Sequence, residues 1–529
     1  MSFQEILTVL LAFLLYQPIK LFVLGHNKTH PESNDWSDLL GEREKSRLRR
    51  LSKTYGNAWF PSFAAFLLTA IFYRTLCWHN MDPTGQLRII ISIGSIILTW
   101  KAATMDIDLA TGDAMVSQRL IVIFSGLGVL FFPGFLFILL FGSTQFFRCW
   151  THHQHLVIRC SLMFLAGSIG FLLVSQFATD FHFTASGWYL ILVLIASHYL
   201  VPGISKIRLG PSWCSWVSRN QLNSLVGTAY LWGWARFMPQ RLVLRFVNGL
   251  KSCNIVFQTL TLLLEVSAGF ILFDQKFAVV LLIGLAIFHV SVFLLSGIMF
   301  WQNIIFLCAV AGCLISQIVE GNELIFGLLT GSTACCLSIL LPLGVRLWQP
   351  HKLAWWDTPF IDRADWLAEG VSGKIYGLYN DFMSPNDRLF GNRSGFFLTP
   401  GKRITKHLGQ TRQFEVATAI YSNTNSASGI CEIIERYGED ASDTELEQYH
   451  DQYMRAFFTN FNRENRKAVC PRWAKAPGDQ YYYWGENERF RGQEKIRRII
   501  IRHRQELLSG DTIIPIKNEL IKTLKIAVN

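Results

Sequence analysis

Two ionisable residues stand in text where charge is expensive. Glu265 lies in NIVFQTLTLLLEVSAGFILF and His289 in LLIGLAIFHVSVFLLSGIMF. Inside hydrocarbon such a side chain marks a functional site by default. The turn at Asp274-Gln275-Lys276 folds the two segments into an antiparallel hairpin. Glu265 precedes Gln275 by ten residues and His289 follows it by fourteen, depths of roughly 15 Å and roughly 21 Å. The two depths agree to about one helical turn, so the side chains are expected to meet or share a water. A pair that only locks the hairpin and a pair that does acid–base work both satisfy this spacing.

Lys206 is the third candidate, in SHYLVPGISKIRLGPSW, just after an apolar run. A lysine at a helix end ordinarily snorkels to the interface. Tucked under the following loop, without water and near Arg208, it would instead be a neutral amine able to act as a base. The run Thr151-His152-His153-Gln154-His155 has the residue type for metal binding, but no carboxylate or cysteine group accompanies it, so an interfacial polar loop and no metal are expected. Asp106, Asp108 and Asp113 read as a solvated acidic loop, and Asn27-Lys28-Thr29 and Asn392-Arg393-Ser394 match the glycosylation sequon.

The elements that must position these residues are membrane helices. Of 529 residues, 51% are hydrophobic and only 16% charged, with a mean hydropathy of +0.27; soluble domains carry about 25% charged residues. The apolar text ends near residue 347 and a polar tail follows. Runs of about 20 apolar residues, the length of one span, occur near 3–24, 58–78, 87–105, 119–142, 156–176, 187–204, 253–274, 277–300, 302–319 and 324–347. The expected fold is therefore an all-α polytopic bundle of about ten transmembrane helices with an α-rich hydrophilic C-terminal domain. Three segments follow: an anchor helix and basic loop over 1–57, a core over 58–347, and the tail over 348–529. Most of the eleven cysteines lie in or near apolar runs as ordinary buried thiols, and only Cys431 and Cys470 are in the tail.

Orientation is contradictory by charge. The loop from 25 to 57 holds Lys28, Arg43, Lys45, Arg47, Arg49, Arg50 and Lys53, which assigns it to the cytoplasm. Five spans onward, the 205–252 loop falls on the outer side, and four more return the tail there. Yet that loop is also basic, with Lys206, Arg208, Arg219, Arg236, Arg241, Arg245 and Lys251. Either those charges have work to do or the span count is off by one. The formal charge of +11 suits anionic membrane lipids; no nucleic-acid motif accompanies it.

Within the tail, Trp348, Trp355 and Trp356 read as an interfacial aromatic belt. Ser442 and Glu445 form a capping box that opens a helix towards Phe461. A basic amphipathic helix is expected over 487–508, ending at Ser509-Gly510, to lie on a membrane or dock on its own domain.

The hairpin text, Glu265-Val266-Ser267-Ala268-Gly269-Phe270, Phe288-His289 and Gly297-Ile298-Met299-Phe300, resembles the membrane core of the vitamin K-dependent γ-glutamyl carboxylases and of the horizontally transferred transmembrane (HTTM) domain family. Tyr199-Leu200-Val201-Pro202-Gly203-Ile204-Ser205-Lys206, followed by Trp213, is similar to the stretch that holds the carboxylase's catalytic lysine. The resemblance spans roughly 58–347 and implies Lys206 as base, His289 as an active-site histidine and Glu265 as the acid that orients it. His155, in looser text, stands against a further histidine. It also implies reduced vitamin K or another quinol, with oxygen and carbon dioxide, and a glutamate-bearing peptide or protein substrate. The tail has no counterpart to the family's lumenal substrate-gripping domain.

Three readings follow. A quinol-dependent enzyme requires Lys206 and His289 in one cavity open to lipid. A non-catalytic protein that binds a partner through its tail requires Lys206 in water and Glu265 paired with His289. A solute transporter lacks the expected inverted repeat. The membrane would be a bacterial inner membrane or that of the endoplasmic reticulum.

Overall fold

The computed structural model describes residues 3–24, 85–105, 108–111, 115–147, 155–177, 183–321, 353–383, 390–391, 394–399, 401–464, 472–483 and 486–528. The apolar runs at 58–78 and 324–347, the basic loop at 25–57, His152 and His153, Asp106 and Asp113, the asparagines of both sequons, Trp348 and Cys470 lie outside the described residues.

Among the described residues, eleven helices of ten residues or more precede the tail: α1 (Phe3–Leu24), α2 (Gly85–Ala103), α3 (Val116–Phe131), α4 (Phe135–Gln145), α5 (Leu156–Val174), α6 (Phe183–Ile207), α7 (Leu222–Leu231), α8 (Gln240–Lys251), α9 (Asn254–Ser267), α10 (Gln275–Ser296) and α11 (Trp301–Val319). Among the described residues, α1, α2, α5, α6, α10 and α11 are long and apolar enough to cross a membrane; α8 and α9 together, bent by 72°, make a seventh crossing if counted as one. Helices α5 and α6 are buried on nearly all sides and form the centre. Around them the usual amphipathic logic is inverted. On α10 the inward stripe includes Leu282, Leu285 and His289, while Val280, Ile283, Ile287, Val290 and Leu294 point outward and stay exposed, as suits a helix whose solvent is lipid.

The run at 119–142, expected as one span, is two helices. Pro133 has no amide hydrogen to continue α3 and clashes with the preceding turn, so the chain reverses at Phe132-Pro133-Gly134. Helix α3 runs antiparallel to α2: the Arg119 guanidinium donates to the carbonyls of Ala103 and Met105, while Val129 and Leu130 reach Arg88 and Ile91. Helix α4 then returns along α3, with Phe135 beside Gly128 and Gly142 beside Val122. At its end the Thr144 hydroxyl donates to the carbonyl of Val23 (2.7 Å). The hairpin therefore starts and finishes at the same end of the bundle.

That end is capped by the tail. The stretch from Arg472 to Tyr483 is stitched to three helix ends: the indole of Trp100 donates to Ala474 O (2.7 Å), that of Trp301 to Pro477 O (2.9 Å), and Tyr481 N to Gly297 O (3.0 Å). Asp479 reaches in to Lys101 Nζ (2.5 Å) and Gln302 Nε2 (2.8 Å). Segment 205–252 lies at this end too, and the tail shares one hydrophobic core with it, in which Ala229, Trp232 and Leu244 pack with Ile361, Trp366 and Ile501.

The tail is mixed α and β, not α-rich. Its strands are β1 (Trp356–Asp357), β2 (Phe360–Gly370), β3 (Ile375–Gly377), β4 (Lys402–Arg403), β5 (Gln410–Thr411), β6 (Glu439–Asp440), β7 (Ile496–Ser509) and β8 (Thr512–Lys525), with helices α12 (Phe414–Ser422), α13 (Ala427–Tyr437) and α14 (Thr444–Glu464). The main sheet has the antiparallel order β3-β2-β7-β8. The helix expected over 487–508 is strand β7. Ile499, Ile500 and Ile501 are β-branched and stiff in a helix, and β7 is sandwiched between β2 and β8 with apolar residues on both faces. A strand buried on both sides has no alternation to betray it. Gly510, at φ +55°, and Asp511 make the two-residue turn into β8. Helix α14 forms as expected, but its cap is Asp443, whose carboxylate accepts from Leu446 N (2.9 Å). Trp356 is fully buried in the tail core and belongs to no interfacial belt.

Candidate functional site

Helix α6 presents Tyr199 and Lys206 two turns apart on one face, about 10 Å along the axis. Helix α9 carries Glu265 and α10 carries His289. Glu265 does not turn to His289. Both of its carboxylate oxygens accept from Lys206 Nζ at 2.6 Å, and both residues are buried, at 5% and 8% exposure. His289 instead meets Tyr199, whose hydroxyl lies 2.6 Å from Nε2. Depth along a hairpin cannot see the side of the helix from which α6 approaches, so the expected Glu265–His289 contact is replaced by two pairs, each anchored on α6.

Close approach of α6 and α9 depends on Gly203. A Cβ there would lie 3.1 Å from Glu265 Cβ and 3.2 Å from Val266 N, inside ordinary contact. With hydrogen in its place, the α9 backbone comes near enough for the short Glu265 side chain to receive the lysine.

Lys206 is neither snorkelled into water nor placed in isolation beside Arg208. Its ammonium lies 5.5 Å from the centre of the Trp216 ring, a cation–π contact that stands in for water. The indole of Trp216 donates to Trp355 O (2.9 Å), so the tail holds this cover in place. Beside it, Asn220 clamps Asp357 from both sides: Nδ2 donates to Oδ2 (2.8 Å) and Oδ1 accepts from Asp357 N (2.7 Å). Gln258 Nε2, two turns before Glu265 on α9, donates to Asn220 O (2.6 Å). Burial pushes the Asp357 carboxyl up to about 6, against the opposing pull of its hydrogen bonds and of the Lys206 charge.

The His289 ring sits between Phe288 and Phe300, at 5.6 and 4.9 Å between ring centres. Its Nδ1 has no hydrogen-bond partner among the described residues. Next to Tyr199, His198 Nδ1 lies 3.2 Å from Arg159 Nη1. His155 is grouped elsewhere, with its Nε2 3.8 Å from Asp479 and near Lys101. Among the described residues no group of three or more His, Cys, Asp or Glu side chains could hold a metal ion.

Sequence reasoning therefore named Lys206, Glu265 and His289 and missed Tyr199, His198, Arg159, Trp216, Asn220 and Asp357. Arg159 carried a usable signal, a charge inside an apolar run. Tyr199 stands in the stretch quoted with Lys206. Trp216 and Asp357 carried none, because their role depends on the tail folding back over α6. Comparison of the chain with protein-family models, with curated proteins and with solved structures gives no match in any of the three.

Proposed function

We propose that this protein is a membrane enzyme acting on a lipid-soluble quinol with oxygen, as a carboxylase or an epoxidase, with Lys206 as its base. The observation that carries this reading is the buried Lys206–Glu265 pair, doubly hydrogen-bonded at 2.6 Å beneath an aromatic cover. A lysine used as a base must first give up its own proton. Glu265 is placed to take it from Nζ, and the pair is electrically neutral before and after, so a dry site imposes little penalty on the transfer. Nζ is then free to accept a proton from a substrate hydroxyl. Glu265 is a positioning residue in this scheme.

The chemistry around His289 supports a hydroxyl-bearing aromatic substrate. His289 offers a buried Nδ1 without a hydrogen-bond partner among the described residues, with the rings of Phe288 and Phe300 beside it, and Tyr199 holds the imidazole through Nε2. When bound, a reduced quinone and oxygen supply the strong base that abstracts a carbon-bound proton; a peptide glutamate and carbon dioxide are the co-substrates of the carboxylase form.

The reversing hairpin α3–α4 removes one crossing from the expected count. Leu24, the 205–252 segment and the tail then share one end of the bundle, and both basic stretches attach there. We assign that face to the side that retains positive charge, the cytoplasm, in place of the outer face.

The test is epoxide formation from reduced vitamin K by the purified protein in nanodiscs with oxygen and bicarbonate. Wild type should form epoxide and Lys206→Ala should not. Well-folded wild type without quinol consumption would sink the proposal.

A further inference from the structure

The helix α8 has three faces rather than two. At about 100° per residue, Val243, Leu244 and Val247 share one side, and all are buried against the tail and α7. Leu242 and Phe246 occupy the next side and are each 50% exposed. Arg241 and Arg245 occupy the remaining side, also exposed. The segment Gln240–Lys251 has no acidic residue. Asn248 Nδ2 donates to Asp511 Oδ1 in the β7–β8 turn (2.6 Å), which fixes the rotation of the helix about its axis.

A helix rooted on one side, with adjacent apolar and cationic flanks, suits the boundary between acyl chains and headgroups. Two further observations place it there. Its axis is bent 72° from that of α9, so if α9 crosses the bilayer then α8 lies close to the membrane plane. The next helix, α9, also carries an exposed apolar row, Ile255, Val256, Leu260 and Leu263, as a lipid-facing span would. Phe237, at 85% exposure and three residues before the helix, adds an interfacial aromatic.

We propose that α8 is an interfacial anchor that binds anionic lipid, with Leu242 and Phe246 in the acyl region and Arg241 and Arg245 on the headgroups. This rests on the membrane reading of the bundle and is independent of quinol chemistry. It gives two charges of the basic 205–252 segment their work, Arg241 and Arg245 holding the lipid surface.

The test is thermal unfolding of the full chain in neutral detergent during titration with phosphatidylglycerol or phosphatidylcholine. Wild type should be stabilised more by phosphatidylglycerol, and salt should erase the difference. Arg241→Gln/Arg245→Gln should weaken the apparent phosphatidylglycerol affinity by about thirtyfold and leave the phosphatidylcholine response and the lipid-free melting point unchanged. Leu242→Ser/Phe246→Ser should weaken the response to both lipids. Equal stabilisation of wild type by the two lipids, or an unchanged phosphatidylglycerol response in the arginine double variant, would overturn the proposal.

Discussion

Two clusters of buried charge can be compared, one between the membrane helices and one in the tail sheet. In the tail, Asp362 accepts from Arg403 Nη1 (3.1 Å), His503 Nε2 (2.8 Å) and Gln505 Nε2 (2.9 Å). Strands β4 and β7 thus converge on one carboxylate of β2 and occupy its lone pairs. In the membrane core, among the described residues, Glu265 receives both its hydrogen bonds from one lysine, and that lysine has the Trp216 ring as a further neighbour. A carboxylate satisfied by three donors is locked, because any proton transfer leaves two donors aimed at a weaker acceptor. A carboxylate with one partner exchanges its proton along one line. Saturation marks the structural cluster and spare capacity the candidate chemical one.

The sharpest way to break this comparison is to cut each cluster once. Lys206→Ala and Asp362→Ala each strand a buried charge and should each cost about 3–5 kcal/mol, read by unfolding in detergent. The clusters should then part company. The double variant Lys206→Met/Glu265→Leu removes both charges and should recover most of the stability while turnover stays absent. Recovery of turnover with stability would make the membrane pair merely structural.

Asp357 gives the next largest effect, with a definite sign. Its folded value is about 6 against an ordinary 3.8, so the folded state binds the proton more tightly than the unfolded one. Its contribution to stability is present at low pH and declines as pH rises from about 4 to about 6, by about 3 kcal/mol in all. Unfolding measured from pH 4 to 8 should show that decline, and Asp357→Asn should flatten it. An unchanged pH profile in the variant would separate Asp357 from the titration.

Gly203→Val sharpens the comparison by moving α9 without touching a charge. Overpacking at this crossing should cost about 1–3 kcal/mol and lower kcat more than the melting temperature suggests, because Glu265 is pushed from Lys206. The smallest effect belongs to the cover. Trp216→Leu should lose about 0.5–2 kcal/mol of cation–π interaction and admit water, seen as faster hydrogen exchange in the loop after Lys206.

What the sequence alone determined was whatever depends on local composition. Apolar length identified α1, α2, α5, α6, α10 and α11, since a helix that satisfies its own backbone must also be long enough to cross. Acidic and hydroxyl residues near 442–445 announced α14, with the cap one residue later than expected. Charge in apolar text singled out Glu265 and His289. Tertiary structure alone decided direction and partnership. A window of hydropathy is the same for one span and for two short helices that reverse at Pro133, so the face reached by everything downstream was illegible. The isoleucines of β7 satisfied a helical period and became a strand because β2 and β8 supplied ladder hydrogen bonds on both sides. By depth Glu265 had His289 within reach, and it pairs with Lys206 instead because Gly203 brings α6 against α9. Periodicity records which residues avoid water, whereas the pairing of buried charges depends on which backbones approach within a few ångströms, and that distance is set by contacts far apart in the chain.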